Sequence, residues 1–151
     1  MRRLKRFTQL TVAERRVLIR ALPVVVAARL SLLIMPVGRT RKVVARAAAG
    51  APTGSVDLVV WGVRTVSRYL PGATCLTQAI AAQSLLTRSG FPSQVEIGVA
   101  KEKHRVGDGS TSKNEVRRLH AHAWVVCQGQ VVLGESHVER YNSLLVWAPQ
   151  E

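Results

Sequence analysis

The hydrophobic pattern of this chain changes period once, at Gly90-Phe91-Pro92. Upstream, apolar residues such as Leu18, Leu22 and Val25 recur three and four positions apart, which is the spacing of one helix face. Downstream, Val95, Ile97 and Val99 alternate with Gln94, Glu96 and Gly98, the period of two that marks a strand with one buried face. A chain whose helices come first and whose strands follow is expected to build an α+β fold.

Local signals divide the two parts further. Thr11-Val12-Ala13-Glu14 has the form of a capping box, so a helix is predicted from Val12, with Pro23 expected to kink or divide it. Pro36-Val37-Gly38 ends that stretch, and Arg39 to Ala49 reads as a short basic helix closed by Gly50. Ala51-Pro52-Thr53-Gly54 is turn chemistry. It separates a basic helical extension, residues 1–50, from a domain over residues 51–151. In that domain a helix is predicted from Val56 to Tyr69, stopped by Pro71-Gly72, and a second from Cys75 to Ser89, capped by Thr74 and stopped by Gly90. Strands follow at Gln94–Ala100, Leu119–Cys127 and Gln130–Leu133. The last two are joined by a tight Gln128-Gly129 turn into a hairpin, and Lys101 to Arg118 is polar enough to be a loop.

Charge is confined to the first part. Residues 1–50 hold twelve Lys/Arg against one acid, Glu14, a net of +11; residues 51–151 hold ten against eight, a net of +2. The basic part has no aromatic residue beyond Phe7 and the chain has no zinc-finger or RNP-type motif, so nucleic acid is not the expected partner. An anionic membrane surface or an acidic protein or peptide fits better. Pro23 and Arg29 interrupt the apolar stretch Ala21–Met35, and it is shorter than the roughly 20 apolar residues of a membrane span. It is expected to be a buried or interfacial helix. With two cysteines and no CxxC pair, a reducing, cytoplasmic setting is expected, with membrane association left open by the basic extension.

One constellation could carry chemistry. Cys75 stands at a predicted helix start, where unpaired amides and the helix dipole stabilise a thiolate and could bind an oxyanion. The strand Leu119–Cys127 offers His120 and His122 on one face as base or imidazolium partner. A third group would orient that imidazole. Glu135 follows the next short strand and is the best placed; Asp108 and His137 are alternatives. Gln78, Gln83 and Ser84 are polar positions on the same helix as Cys75, open to an oxyanion role. Cys127 points away from His122 and reads as a packed small residue. On chemistry alone, a lone Cys at a helix start is more often a buried small hydrophobe, and His120, His122, Cys75 and a carboxylate could instead hold zinc for a hydrolase.

Cys75-Leu-Thr-Gln-Ala-Ile-Ala-Ala-Gln-Ser-Leu-Leu-Thr-Arg-Ser-Gly-Phe-Pro, Glu96-Ile-Gly-Val and Ala121-His-Ala-Trp-Val-Val together resemble the lasso-peptide maturation proteases. These are papain-related cysteine peptidases of transglutaminase-like type. The resemblance covers about residues 70–147 and implies a papain/transglutaminase-like core, with a catalytic helix packed on a small antiparallel sheet. It implies Cys75 as nucleophile and His122 as its partner. The third member, usually Asp, falls at Glu135 within Gly134-Glu135-Ser136. The implied activity is removal of the leader from a ribosomally made lasso-peptide precursor, without a cofactor. The implied partners are that precursor, a leader-binding recognition protein and an ATP-dependent lasso cyclase. Two other readings stay open: a non-catalytic module that binds precursor or membrane, and a transglutaminase or acyltransferase using the same pair.

Overall fold

A computed structural model describes residues 10–50, 54–102, 118–134 and 138–148. Four helices precede four strands: α1 Val12–Ile34, α2 Val37–Ala47, α3 Val56–Tyr69 and α4 Cys75–Arg88, then β1 Ser93–Glu102, β2 Arg118–Cys127, β3 Gln130–Leu133 and β4 Asn142–Trp147. A 3-10 turn, Val138–Arg140, leads into β4. The fold is α+β, as the switch of period predicts.

The helix signals act as read. Thr11 accepts from the Glu14 amide at 3.2 Å, and the Glu14 carboxylate accepts from the Thr11 amide at 2.6 Å. Pro23 does not divide α1, which runs unbroken for 23 residues. Proline removes one amide from the helix ladder. Its neighbours hold the helix together nonetheless, because Ala21, Val24, Val25 and Ala28 are all fully buried.

Those four residues share one hydrophobic core with Val44 of α2, Val63 of α3, Ile80 and Leu86 of α4, and Val95, Ala123, Val125 and Leu133 of the sheet. The basic helices therefore pack into the same interior as the rest of the chain. Helix α1 lies against α2, α3 and α4, and α4 in turn lies on β1 and β2.

The sheet is antiparallel with strand order β3-β2-β1-β4. The β2–β3 hairpin turns on Gln128 and Gly129, both with positive φ (52° and 78°), which matches the right-handed twist of the paired strands. The sequence reading did not foresee β4. Its run Leu144, Leu145 and Val146 is exposed and lacks the alternation that announces a strand. A register shift opposite Ile97 and Gly98 explains part of this, since a bulge breaks the period of two. Two contacts from the helices also fasten β4. Gln83 of α4 donates to the carbonyls of Ser93 (3.1 Å) and Trp147 (2.9 Å). The Arg41 guanidinium of α2 donates to the Ala148 carbonyl and lies 5.1 Å over the Trp147 ring.

Candidate active site

Helix α4 begins at a built cap. The Thr74 hydroxyl accepts from the Thr77 amide at 3.3 Å, and the Thr77 hydroxyl accepts from the Thr74 amide at 3.4 Å. The reciprocal bonds fix where the helix starts, so Cys75 is its first residue. The amides of Cys75 and Leu76 have no acceptor within the helix. An anion held at this end, whether a thiolate or a developing oxyanion, meets those N–H groups and the positive end of the dipole. The Cys75 thiol is free and half-buried.

His122 sits in the middle of β2, half-buried and paired across the ladder with Gly98. Its Nε2 lies 2.9 Å from the Gly134 carbonyl. A carbonyl only accepts, so Nε2 carries the proton and Nδ1 keeps the lone pair of the neutral ring. That is the state a general base needs. The imidazole is also enclosed by aromatic rings, with Tyr141 at 5.2 Å and Trp124 at 6.2 Å between centroids. Trp124 is 2% exposed and lies across Gly98, where a Cβ would stand 2.8 Å from its ring.

Gly134 is shaped for its part. Its φ is +80°, and a Cβ there would come 2.8 Å from the Ala123 carbonyl oxygen and 3.0 Å from Trp124 Cα. Only glycine lets the chain pass this close to β2 and aim its carbonyl at His122. The sequence points to side chains for the orienting group, Glu135, Asp108 and His137, and gives no sign of this backbone carbonyl. Tyr141 had no spacing to reveal it. Glu135, the next residue, lies outside the described residues, as do Asp108 and His137.

The structure places Cys75 and His122 on packed neighbouring elements, α4 and β2. Among the described residues, no hydrogen bond joins them. Alternation along β2 sends Ala123 and Val125 into the core shared with α4 and turns His122 and Trp124 to the other side. Gln83 is not available for an oxyanion, in contrast to the open reading of the sequence: both protons of its amide are held by Ser93 and Trp147. Cys127 is buried, with Sγ 3.7 Å from the Pro92 carbonyl, and burial pushes its thiol above the ordinary range. Among the described residues no group of three or more His, Cys, Asp or Glu is placed to hold a metal ion.

Comparison with known families matches residues 18–146 to the transglutaminase-like superfamily. The chain belongs to that superfamily. The matched span starts within α1 and ends within β4, so it takes in most of the helical layer and nearly all of the sheet. Neither the curated proteins nor the solved structures gave a match. Transglutaminase-like domains typically carry cysteine-dependent catalysis of peptidase or acyl-transfer type. In this one, Cys75 at the capped start of α4 is the cysteine in the position suited to that chemistry, since Cys127 is buried.

Proposed function

We propose that this transglutaminase-like protein is a cysteine peptidase that removes the leader from a lasso-peptide precursor. The observation that carries the reading is Cys75 as first residue of a capped helix in a transglutaminase-like domain. The motifs around Cys75, Glu96 and His122 add the subfamily, through their resemblance to the lasso-peptide maturation proteases.

The Cys75 thiol gives its proton to His122 Nδ1, the resulting thiolate attacks the scissile carbonyl, and the amides at the start of α4 receive the oxyanion. His122 gives its proton to the leaving amine as the C–N bond breaks, leaving the leader side as a thioester on Cys75. Water, deprotonated by His122, then releases the acyl group and restores the thiol. Gly134 holds the imidazole through Nε2, so proton transfer runs through Nδ1. Glu135, beside Gly134 in the chain, is the carboxylate proposed to orient His122. Pairing with Cys75 requires β2 to present His122 on the α4 side, since here the imidazole faces the opposite side of the sheet with Trp124 and Tyr141. The precursor is presented by a leader-binding recognition protein, and an ATP-dependent cyclase takes the product.

Incubating the protein with precursor and recognition protein and weighing the products tests this directly. Wild type yields free leader; folded Cys75→Ala yields none. Cleavage by folded Cys75→Ala at the wild-type rate would overturn the cysteine mechanism. A product heavier by an added amine, in place of hydrolysis, would instead support acyl transfer, which superfamily membership equally accommodates.

A further inference from the structure

Helix α1 is apolar on two opposite sides. One side, Val17, Ala21, Val24, Val25 and Ala28, is buried in the core. The other exposes Val12, Ile19, Leu22, Leu30, Leu33 and Ile34, each more than half accessible. At about 100° per residue these six fall within a sector of roughly 120°, centred opposite the buried side; Arg15 and Arg16 enter this sector at its N-terminal end. A core helix needs only one apolar side, so the second is surplus to folding. By length and composition α1 could cross a membrane, but a third of its most apolar window is buried inside the protein. Crossing would pull Val24, Val25 and Ala28 out of the core.

The charges around this stripe indicate what covers it. Arg16 and Arg20 are exposed on α1, and Arg39, Lys42 and Arg46 on α2, which packs beside it. The one acid of residues 1–50, Glu14, is engaged in the cap with Thr11. A second copy of the chain would bring a like net charge of +11 against this face. An interface of apolar chains below anionic headgroups satisfies both parts at once.

We propose that the outer side of α1 docks on an anionic lipid surface, with the helix lying in the plane of the interface and its inner side still in the core. The arrangement also sets where the nucleophile stands. Arg29 of α1 reaches the Pro71-Gly72 turn, against which a Cβ at Gly72 would collide, and that turn leads directly into Thr74 and Cys75. Docking through the C-terminal half of α1 therefore holds the start of α4 near the lipid surface. The proposal does not depend on which peptide is cleaved.

Sedimentation of the full chain with vesicles tests it, using phosphatidylcholine alone and phosphatidylcholine with about a third phosphatidylglycerol. Wild type partitions at least about tenfold better onto the anionic vesicles, and high salt releases it. The double variant Leu30→Gln/Leu33→Gln, both positions exposed, keeps its circular dichroism spectrum and loses about tenfold in partitioning. Equal binding to neutral and anionic vesicles, no binding at all, or an unaffected double variant would each overturn the proposal. So would resistance to alkaline extraction, which marks a span. A vesicle-free dimer abolished by the same double variant would assign the stripe to a second copy instead.

Discussion

Replacing Gly134 with alanine tests whether a backbone carbonyl sets the state of His122. The substitution has two costs of different origin. A φ of +80° strains any residue with a Cβ by about 1–2 kcal/mol. The new Cβ would also stand 2.8 Å from the Ala123 carbonyl and 3.0 Å from Trp124 Cα, both backbone atoms of a central strand that yields little. Moving the chain away to relieve that contact breaks the 2.9 Å bond from His122 Nε2, worth roughly 1 kcal/mol net. The total is about 3 kcal/mol, tolerable for a domain of ordinary stability. Gly129→Ala supplies the control, because Gly129 has a φ of +78° but nothing within 4 Å of its would-be Cβ. It carries the conformational cost alone, about 1–2 kcal/mol. Urea unfolding of the two variants should therefore differ by at least about 1 kcal/mol at unchanged m-value. Nitrogen NMR of His122 should show the Nε2–H tautomer in wild type and Gly129→Ala, and a mixture in Gly134→Ala. Precursor cleavage should fall by roughly ten- to a hundredfold in Gly134→Ala alone, since a displaced catalytic group is costly. Equal stability of the two variants together with an unchanged His122 spectrum would refute the reasoning.

Other perturbations read different parts of the structure. Iodoacetamide should alkylate Cys75 and spare Cys127, which is buried and whose thiol is pushed up by desolvation; peptide mapping after labelling at neutral pH checks this. Because the folded Cys127 ionises at higher pH than the unfolded thiol, the stability it contributes is complete below the unfolded thiol's range and lost as alkali takes pH through the folded value. Urea midpoints should accordingly fall less at alkaline pH in Cys127→Ala than in wild type. Gln83→Leu leaves the Ser93 and Trp147 carbonyls without their buried donor and should cost about 2–4 kcal/mol in urea unfolding. A chain of residues 51–151 lacks Ala21, Val24, Val25, Ala28 and Val44 from the core. It should fail to give a cooperative thermal transition at any salt concentration.

Much of this fold is legible in the sequence because its signals are local. The Thr11–Glu14 and Thr74 caps, the Pro71-Gly72 stop and the Gln128-Gly129 turn each act within four residues, and the structure uses all of them. What sequence reading lost depended on distant partners. Pro23 looks like a break until Ala21, Val24 and Val25 are seen buried against other helices. The strand β4 is defined by β1 and by Arg41 and Gln83 rather than by its own pattern. At the candidate site, helix-start chemistry singles out Cys75, whose helix the structure caps, and the strand motif singles out His122, which the structure turns to the face away from α4. Gly134 was not legible, because a carbonyl belongs to every residue and only its aim at His122 distinguishes it.

The anchorage of β4 has a consequence for the order of assembly. Helices α1 to α4 are consecutive and complete in the chain before β1 begins, so on a growing chain the helical layer can form early. Its partner β4 must find β1 across about fifty residues, as Val95 with Trp147, and loop closure of that kind is slow. Until it arrives, Gln83 faces an unfilled slot and Arg41 has no ring to cover. Val138–Arg140 and Tyr141 lie on the stretch that delivers β4, so the tyrosine reaches the imidazole only when that late pairing is made. A ribosome-bound chain would display a capped Cys75 helix well before His122 acquires its aromatic wall.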